Sequence, residues 1–391
     1  MDSIKKPAPL IIISSSPHIH CGDTVGAAMR DVLLALVPAI LAAIWFFRLE
    51  ALTVIFACCL SAIFFEALCQ KVMGRAITVT DGSALLTGLL LALCLPPGFP
   101  MILAIFGTFC AIVIGKQVFG GLGSNIFNPA HIGRAVLLAS MPHQMTAWLP
   151  PVPSFIDNIT NAFGSINAVT SATKAVQAIH TAVNATTSAT KAAQTINTAV
   201  SATTSATSAG VDAVTSATPL AMLRMSEHLW QNGQSAADTL PNLFSMFIGN
   251  IPGSLGETCV PAILLGGLFL IWRGRIDWRI PFYYIMTVFV ITAVYGYFRG
   301  YAPLFPLYHL FGGGLMIGAF FMATDWVTSP LTKKGRVIFA VGLGILTALI
   351  RLRGGYVEGV CYSILIMNML TPLIDRYVHI IPFGARRKKH E

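Results

Sequence analysis

Asp212-Ala-Val-Thr-Ser-Ala-Thr218 runs straight into Pro219-Leu220. The chemistry this stretch offers is that of a threonine hydroxyl, an oxygen that an enzyme can esterify. The carboxylate at its head could help position a metal or accept backbone hydrogen bonds that shape a turn. The bland alternative is a low-complexity loop, because Thr, Ser and Ala recur in such loops and a heptad of this kind can arise there by chance. Three related copies precede it: Asn167 to Thr173, then Asn184 to Thr190 and Ser201 to Thr207, each starting 17 residues after the last. The fourth starts 11 residues further on, and only it carries Asp at its first position and Pro-Leu after the threonine. Thr218 is therefore the candidate, ahead of Thr173, Thr190 and Thr207. The first three copies read as an Ala/Ser/Thr spacer, too poor in large apolar side chains to build a core or to stack as a solenoid.

The rest of the chain must position that stretch, and its composition decides the class. Hydrophobic residues make up 55% and charged residues 10% of the 391 positions, against roughly 25% charged in soluble domains. This is the composition of an integral membrane protein. A helix crossing the hydrocarbon core needs roughly 20 mostly apolar residues, and about ten such stretches recur, near 32–47, 51–69, 82–96, 99–116, 132–149, 257–272, 280–298, 304–323, 337–350 and 357–374. The expected fold is an all-α integral membrane protein with two five-helix halves, 32–149 and 257–374. Between them lies a long loop, 150–256, and outside them an N-terminal segment, 1–31, and a basic tail, 375–391. The N-terminus is expected to be retained, since Leu10 to Ile13 is too short for a signal-peptide core.

Cytoplasmic loops carry the excess of Lys and Arg. With the N-terminus inside, 18 of the 25 basic residues fall in inner segments, Lys116 and Arg134 counted among them. Both termini are then cytoplasmic and the 150–256 loop, with Thr218, is extracytoplasmic. An odd number of spans per half inverts the second half relative to the first. The net charge of +9 follows from this bias, which leaves a nucleic-acid partner without support.

Asp212 to Thr218 resembles the site at which a flavin transferase esterifies a threonine hydroxyl with the phosphate of FMN. Four further segments carry a wider resemblance: Ser14-Ser15-Ser16-Pro17-His18-Ile19, Asp81-Gly82-Ser83-Ala84 leading into Thr87 to Leu91, Phe119 to Ala130, and Phe321-Met322-Ala323-Thr324-Asp325. They are similar to the RnfD family, the D component of the Rnf complex, which is related to the B component of the sodium-translocating NADH:quinone reductase. The likeness spans nearly the whole chain except the repeats at about 160–210, which look like an insertion. Family members commonly have Ser-Gly-Ala-Thr where this chain has Thr215-Ser216-Ala217-Thr218, with the Asp-to-Thr spacing kept.

The resemblance implies a bacterial or archaeal plasma-membrane subunit that carries electrons but is not an enzyme alone. It would sit in a complex coupling ferredoxin and NAD to Na+ or H+ movement, with FMN esterified to Thr218. Its implied partners are the RnfA and RnfE membrane components, the RnfG flavoprotein, the peripheral iron–sulfur components RnfB and RnfC, and a flavin transferase for maturation. In the related reductase the matching Asn pair contacts a noncovalent riboflavin, which makes Asn125 and Asn128 candidates. The alternative is a re-entrant turn whose Asn side chains satisfy exposed backbone.

Glu66, Asp325, Glu358 and Asp375 fall in or at the ends of spans, where ionisable groups suggest an ion path. Each could instead cap a helix or pair with a base, Asp375 with Arg376 or Arg351 for example. Gly312-Gly313-Gly314 is expected to allow close helix packing. The eight cysteines show no CxxC spacing, and no metal site is expected within the chain. A cofactor-free inverted-repeat transporter or small-solute channel remains the alternative function, as does a structural subunit whose flavin site has decayed.

Overall fold

The computed structural model describes residues 24–151, 218–224, 240–301, 303–354 and 358–378. No strand occurs among them. In chain order the helices are α1 (Val25–Val72), α2 (Ser83–Leu93), α3 (Met101–Phe109, continuing as a π-helix over Cys110–Gln117), α4 (Pro129–Ser140), α5 (Leu243–Ile248) and α6 (Val260–Trp272). They continue as α7 (Arg279–Arg299), α8 (Phe305–Phe311), α9 (Leu315–Ile317, continuing as a π-helix over Gly318–Met322), α10 (Lys333–Arg353) and α11 (Val360–Tyr377).

Three of these, α1, α7 and α10, are each long and apolar enough to cross a membrane, or four spans if the bent α8–α9 pair counts as one. α1 would be about 72 Å long if straight, more than twice the hydrocarbon thickness. It does not run straight: Arg48 has φ 50 and ψ −124, which breaks it into two limbs. Leu33 before the break meets Gly82, the residue that caps the short helix α2, and Ala62 after the break meets Gly88 within it. Limbs equally far from the break that reach one helix must run antiparallel, which accounts for the expected spans 32–47 and 51–69. The close approaches rest on small residues, as helix pairs in membranes do. A Cβ on Gly88 would meet the Cys58 carbonyl at 2.6 Å, and one on Gly266 would strike the Ala35 carbonyl.

α2 is only about 16 Å long at 1.5 Å per residue, half a bilayer. Carbonyls at its last residue and just past it, which lack partners within the helix, accept from the second half of the chain. Gly256 N donates to Leu93 O at 2.7 Å and Leu255 N to Leu95 O at 3.1 Å. α7 and α10 pack in parallel, Asp277 meeting Arg336 at their starts and Thr287 facing Gly344 further along. A buried hydroxyl chain then ties three helices, Tyr284 Oη to Thr347 Oγ1 and on to Ser363 Oγ, both at 2.7 Å.

The starts of α1, α7 and α10 and the end of α6 share one end of the bundle, since Asp31 pairs with Arg273 and Arg275 while Asp277 pairs with Arg279 and Arg336. Two of the basic residues counted with the inner segments lie within helices. Lys116 lies inside the π-helix and Arg134 inside α4, and both are buried. Burial in protein next to carboxylates, not loop placement, is what makes these charges tolerable.

Candidate functional site

Thr218 heads the helical turn 219–224. Its Oγ1 accepts from Ala221 N at 3.3 Å and its carbonyl from Met222 N at 2.9 Å, the pattern of an N-cap with Pro219 at the first helical position. Thr218 is 8% exposed. Leu220 and Leu223 explain why: they pack with Tyr301 and Phe305 into a small core of their own, against Tyr295, Tyr308 and Leu352. Tyr301 and Phe305 have centroids 5.0 Å apart, and Phe305 stands edge-on to His309 at 4.7 Å. At the far end of the turn, Arg224 Nη2 donates to Gly354 O at 2.6 Å. Asp212, Thr215, Ser216 and Ala217, and the upstream copies ending at Thr173, Thr190 and Thr207, lie outside the described residues.

The segment rests on the break between α8 and α9. Gly312-Gly313-Gly314 was expected to bring helices together; instead it interrupts one, the two pieces meeting at 63°. Gly313 has φ 62, a left-handed conformation, and a Cβ there would meet Leu220 Cδ1 at 2.5 Å and Arg351 Nη2 at 3.0 Å. The break frees backbone groups inside the protein, and charged side chains take them up. Gly314 N donates to Glu257 Oε1 at 2.7 Å. Arg351 donates to His309 O, to Gly312 O at 3.2 Å and to Glu358 O at 2.8 Å. Arg351 is thus committed here and does not pair with Asp375, whose Oδ1 accepts from Leu331 N at 3.1 Å. Glu358 forms an ion pair with Arg134 of α4, joining the two halves of the chain. His131 and His309 are buried, and their ring nitrogens have no hydrogen-bond partner among the described residues.

A second site lies at the end of the bundle that holds the starts of α1, α7 and α10. A cavity of about 320 Å³ is walled by α1, the start of α2, the π-helix after α3, the 122–129 turn and the chain from Phe320 to Val327. Asn125, Asn128 and Asp325 all line it, with Ser83, Lys116 and Arg275. Asn128 has structural duties: its Oδ1 caps α4 by accepting from Ala130 N at 3.1 Å, and its Nδ2 donates to Met322 O at 3.2 Å. Asn125 is different. Its Nδ2 donates to Phe127 O at 3.0 Å, but Oδ1 is buried without a hydrogen-bond partner among the described residues. Unpaired buried polar atoms call for an explanation, and a ligand with ring nitrogens and carbonyls would supply one.

The cations of this cavity are already neutralised. Lys116 Nζ lies 2.7 Å from Glu66 Oε2 and 2.7 Å from Ser83 Oγ. Arg275 Nε lies 2.7 Å from Asp31 Oδ2. Glu66, expected on an ion path, is therefore the counter-charge of Lys116.

Of the sequence candidates, the structure gathers Asn125, Asn128 and Asp325 at the cavity with Glu66 paired to its Lys116, sets Glu358 against Arg351 and seats Leu220, two residues after Thr218, on Gly313, and leaves Asp375 apart at the end of α11. Glu257, Arg134, Lys116 and Arg351 were missed as site residues. The available signal was a charge inside an otherwise apolar run, present in the sequence for Lys116, Arg134 and Arg351.

Residues 12–384 match the model of the NQR2, RnfD, RnfE family. Over 382 residues the chain is 42% identical to the D component of the proton-translocating ferredoxin:NAD(+) oxidoreductase complex of Clostridium ljungdahlii, covering 97% of each chain. It is 37% identical to the D component of the Na(+)-translocating ferredoxin:NAD(+) oxidoreductase complex of Acetobacterium woodii, covering 97% of this chain and 98% of that one. It is 36% identical to the D component of the ion-translocating oxidoreductase complex of Escherichia coli, covering 96% and 99%.

Proposed function

The chain belongs to the NQR2, RnfD, RnfE family, and from that premise we propose that it is the membrane flavoprotein subunit of an ion-translocating ferredoxin:NAD oxidoreductase. In this reading it carries electrons through FMN esterified to Thr218, with a noncovalent riboflavin in the Asn125 cavity. The observation that carries the reading is the placement of Thr218, held at the head of a docked turn beside an aromatic cluster and a broken helix. A mobile tether would set no distance to a redox partner; a seated one does.

The residues fit such a group. The half-buried Tyr295 and Tyr308 border the small core that seats Leu220, and Asn125, whose Oδ1 lacks a hydrogen-bond partner among the described residues, lines the cavity. The flavin supplies the electron chemistry, while the protein supplies position and electrostatics. Pro219 and the Thr218 cap fix where the attached group starts. Gly313 lets Leu220 close against the α8–α9 break. The neutralised Lys116 and Arg275 suit an uncharged ring in the cavity better than a phosphate.

The same reading places the protein in the plasma membrane of a bacterium or archaeon, with both termini cytoplasmic and Thr218 outside. It has the chain assemble with RnfA, RnfE, RnfG, RnfB and RnfC and mature by way of a flavin transferase. The test is in-gel flavin fluorescence after denaturation, on wild type and Thr218→Val produced with the transferase. A band lost in the variant supports the ester at Thr218. Fluorescence that survives moves it to Thr173, Thr190 or Thr207, and a dark wild type turns the reading towards a transporter or a decayed subunit.

A further inference from the structure

The helical turn that Thr218 heads is docked, and docking buries the threonine. Thr218, Pro219 and Leu220 are buried in succession, Thr218 at 8% exposure and Leu220 at 4%. Thr218 Oγ1 accepts from Ala221 N at 3.3 Å, so the oxygen faces the turn's own first N–H groups. Leu220 and Leu223 sit in a small core with Tyr301 and Phe305 that is distinct from the main core of the bundle, and Arg224 Nη2 reaches Gly354 O at the far end. A segment seated on a core of its own can open without unpacking the helices around it, as local unfolding units do.

Esterification needs room that this arrangement does not give. Thr218 Oγ1 must approach a flavin phosphorus in line with the leaving oxygen, while the transferase surrounds the transferred phosphoryl group with charge-stabilising groups. The Thr218 oxygen–phosphorus bond forms as a phosphoanhydride of a flavin dinucleotide breaks. The departing nucleoside monophosphate takes the electron pair, and the hydroxyl proton passes to a base of the transferase. An active site of that kind has to enclose the threonine together with its neighbours, and Pro219 and Leu220 are inside the protein.

We propose that Thr218 takes up FMN only while the 218–224 turn is lifted from its seat, so that loading precedes docking. The inference rests on Thr218 being the ester site and adds the state in which it reacts. Gly313 governs how often that state occurs: with φ 62 and no side chain, it admits Leu220 Cδ1 to within 2.5 Å of where a Cβ would stand. Leu352 of α10 closes the same small core from another side. Weakening either contact raises the lifted fraction without altering Asp212 to Leu220, the stretch a transferase would read.

The test is the rate at which the full chain, purified in detergent from cells lacking the transferase, gains in-gel flavin fluorescence once transferase and flavin dinucleotide are added. Limited trypsinolysis at Arg224 is followed on the same samples before the addition. Trypsin and transferase both need the lifted turn, so the two rates should rise together. Gly313→Ala and Leu352→Ala are each expected to raise both several-fold. Gly274→Ala in the α6–α7 connection, with φ 68 and nothing within 4 Å of the added Cβ, should change neither. Leu352→Ala keeps the result readable if Gly313→Ala misfolds, since it trims a side chain and leaves the backbone unstrained. Labelling at the wild-type rate in both seat variants, whether or not the nick at Arg224 is faster, overturns the proposal and leaves the ester at Thr218 in place. A wild type that stays dark, or a Thr218→Val that labels as fast as wild type, removes the ester site itself and the proposal with it.

Discussion

Lys116 Nζ lies 2.7 Å from Glu66 Oε2, and the two side chains are each 2% exposed. They come from different helices, the π-helix after α3 and the second limb of α1, and they meet behind the cavity that Asn125 lines. An ion pair this deeply buried costs desolvation on both partners, so it need not stabilise relative to an apolar pair of the same volume. Removing one partner is another matter, because the survivor is left charged and unpaired. Lys116→Met is therefore expected to destabilise by about 3–5 kcal/mol, and the double variant Glu66→Gln with Lys116→Met to recover most of the loss. Thermal unfolding of the detergent-solubilised chain decides it; a double variant as unstable as the single would mean that the lysine stem, not the charge pair, holds this region together.

Leu220 is seated on Gly313, where φ is 62 and a Cβ would meet Leu220 Cδ1 at 2.5 Å. Gly313→Ala therefore adds backbone strain of about 1–2 kcal/mol and overpacking of about 1–3 kcal/mol. Both act on the seat of the Thr218 turn, so that turn should lift. Arg224 is a trypsin site at its end, and limited trypsinolysis is expected to nick Gly313→Ala there faster than wild type. Gly300→Ala is the control. It has a similar φ of 70 but nothing within 4 Å of the added Cβ, so it should carry the strain without the faster nick. Equal nicking of the two variants would mean that Leu220 does not depend on the glycine.

The helices were legible because each apolar run is long relative to its interruptions. The expected span 280–298 became Arg279–Arg299, and 337–350 became Lys333–Arg353. The broken span 304–323 was read as continuous because hydropathy averaged over a window does not register a turn at Gly312-Gly313-Gly314. What makes that turn matter is Leu220 from a distant part of the chain, and no local pattern encodes such a contact. The same holds for Glu66. In the sequence it is an isolated charge in an apolar run, which suggests an ion path, and only the fold reveals that Lys116 neutralises it. Asn125 and Asn128 were read together from one motif, yet the structure divides their duties. Asn128 caps α4, whereas Asn125, also in the cavity lining, keeps a buried oxygen without a hydrogen-bond partner among the described residues.

On the proposed reading of one covalent and one noncovalent flavin, the different roles of Asn125 and Asn128 can be told apart. Asn125→Leu removes the unpaired amide oxygen of a cavity-lining residue without touching the Thr218 turn, which packs against α7, α8, α10 and Gly313 instead. Acid-extractable flavin is expected to fall several-fold in this variant while in-gel fluorescence of the denatured band stays at the wild-type level. Asn128→Leu should lower extractable flavin and also stability, by about 0.5–2 kcal/mol for the lost cap. If Asn125→Leu keeps its extractable flavin, the cavity does not hold it through that oxygen.

Asp277 lies in the connection between α6 and α7 and answers to pH through the two arginines that share it. Burial raises the energy of its charged form, but hydrogen bonds from Arg279 N and from the Arg336 and Arg279 side chains outweigh that, holding the carboxyl below the usual aspartate range. A carboxyl with a lowered folded-state pKa binds fewer protons folded than unfolded, so its contribution to stability is fully present above the unfolded value of about 3.9 and disappears as pH falls through the folded value. Asp277→Asn is thus expected to unfold at a lower temperature than wild type at pH 7. The gap should hold down to about pH 5 and close progressively below about pH 4. Arg336→Gln removes one of the two guanidinium groups, so the folded-state value rises towards the unfolded one; the pH-dependent contribution should shrink and its loss be complete at higher pH, while the onset stays near the unfolded value. Unfolding temperatures of the three proteins from pH 3 to pH 8 in one detergent give the answer, and a gap that stays constant across that range would mean that Asp277 acts through its shape and not through its charge.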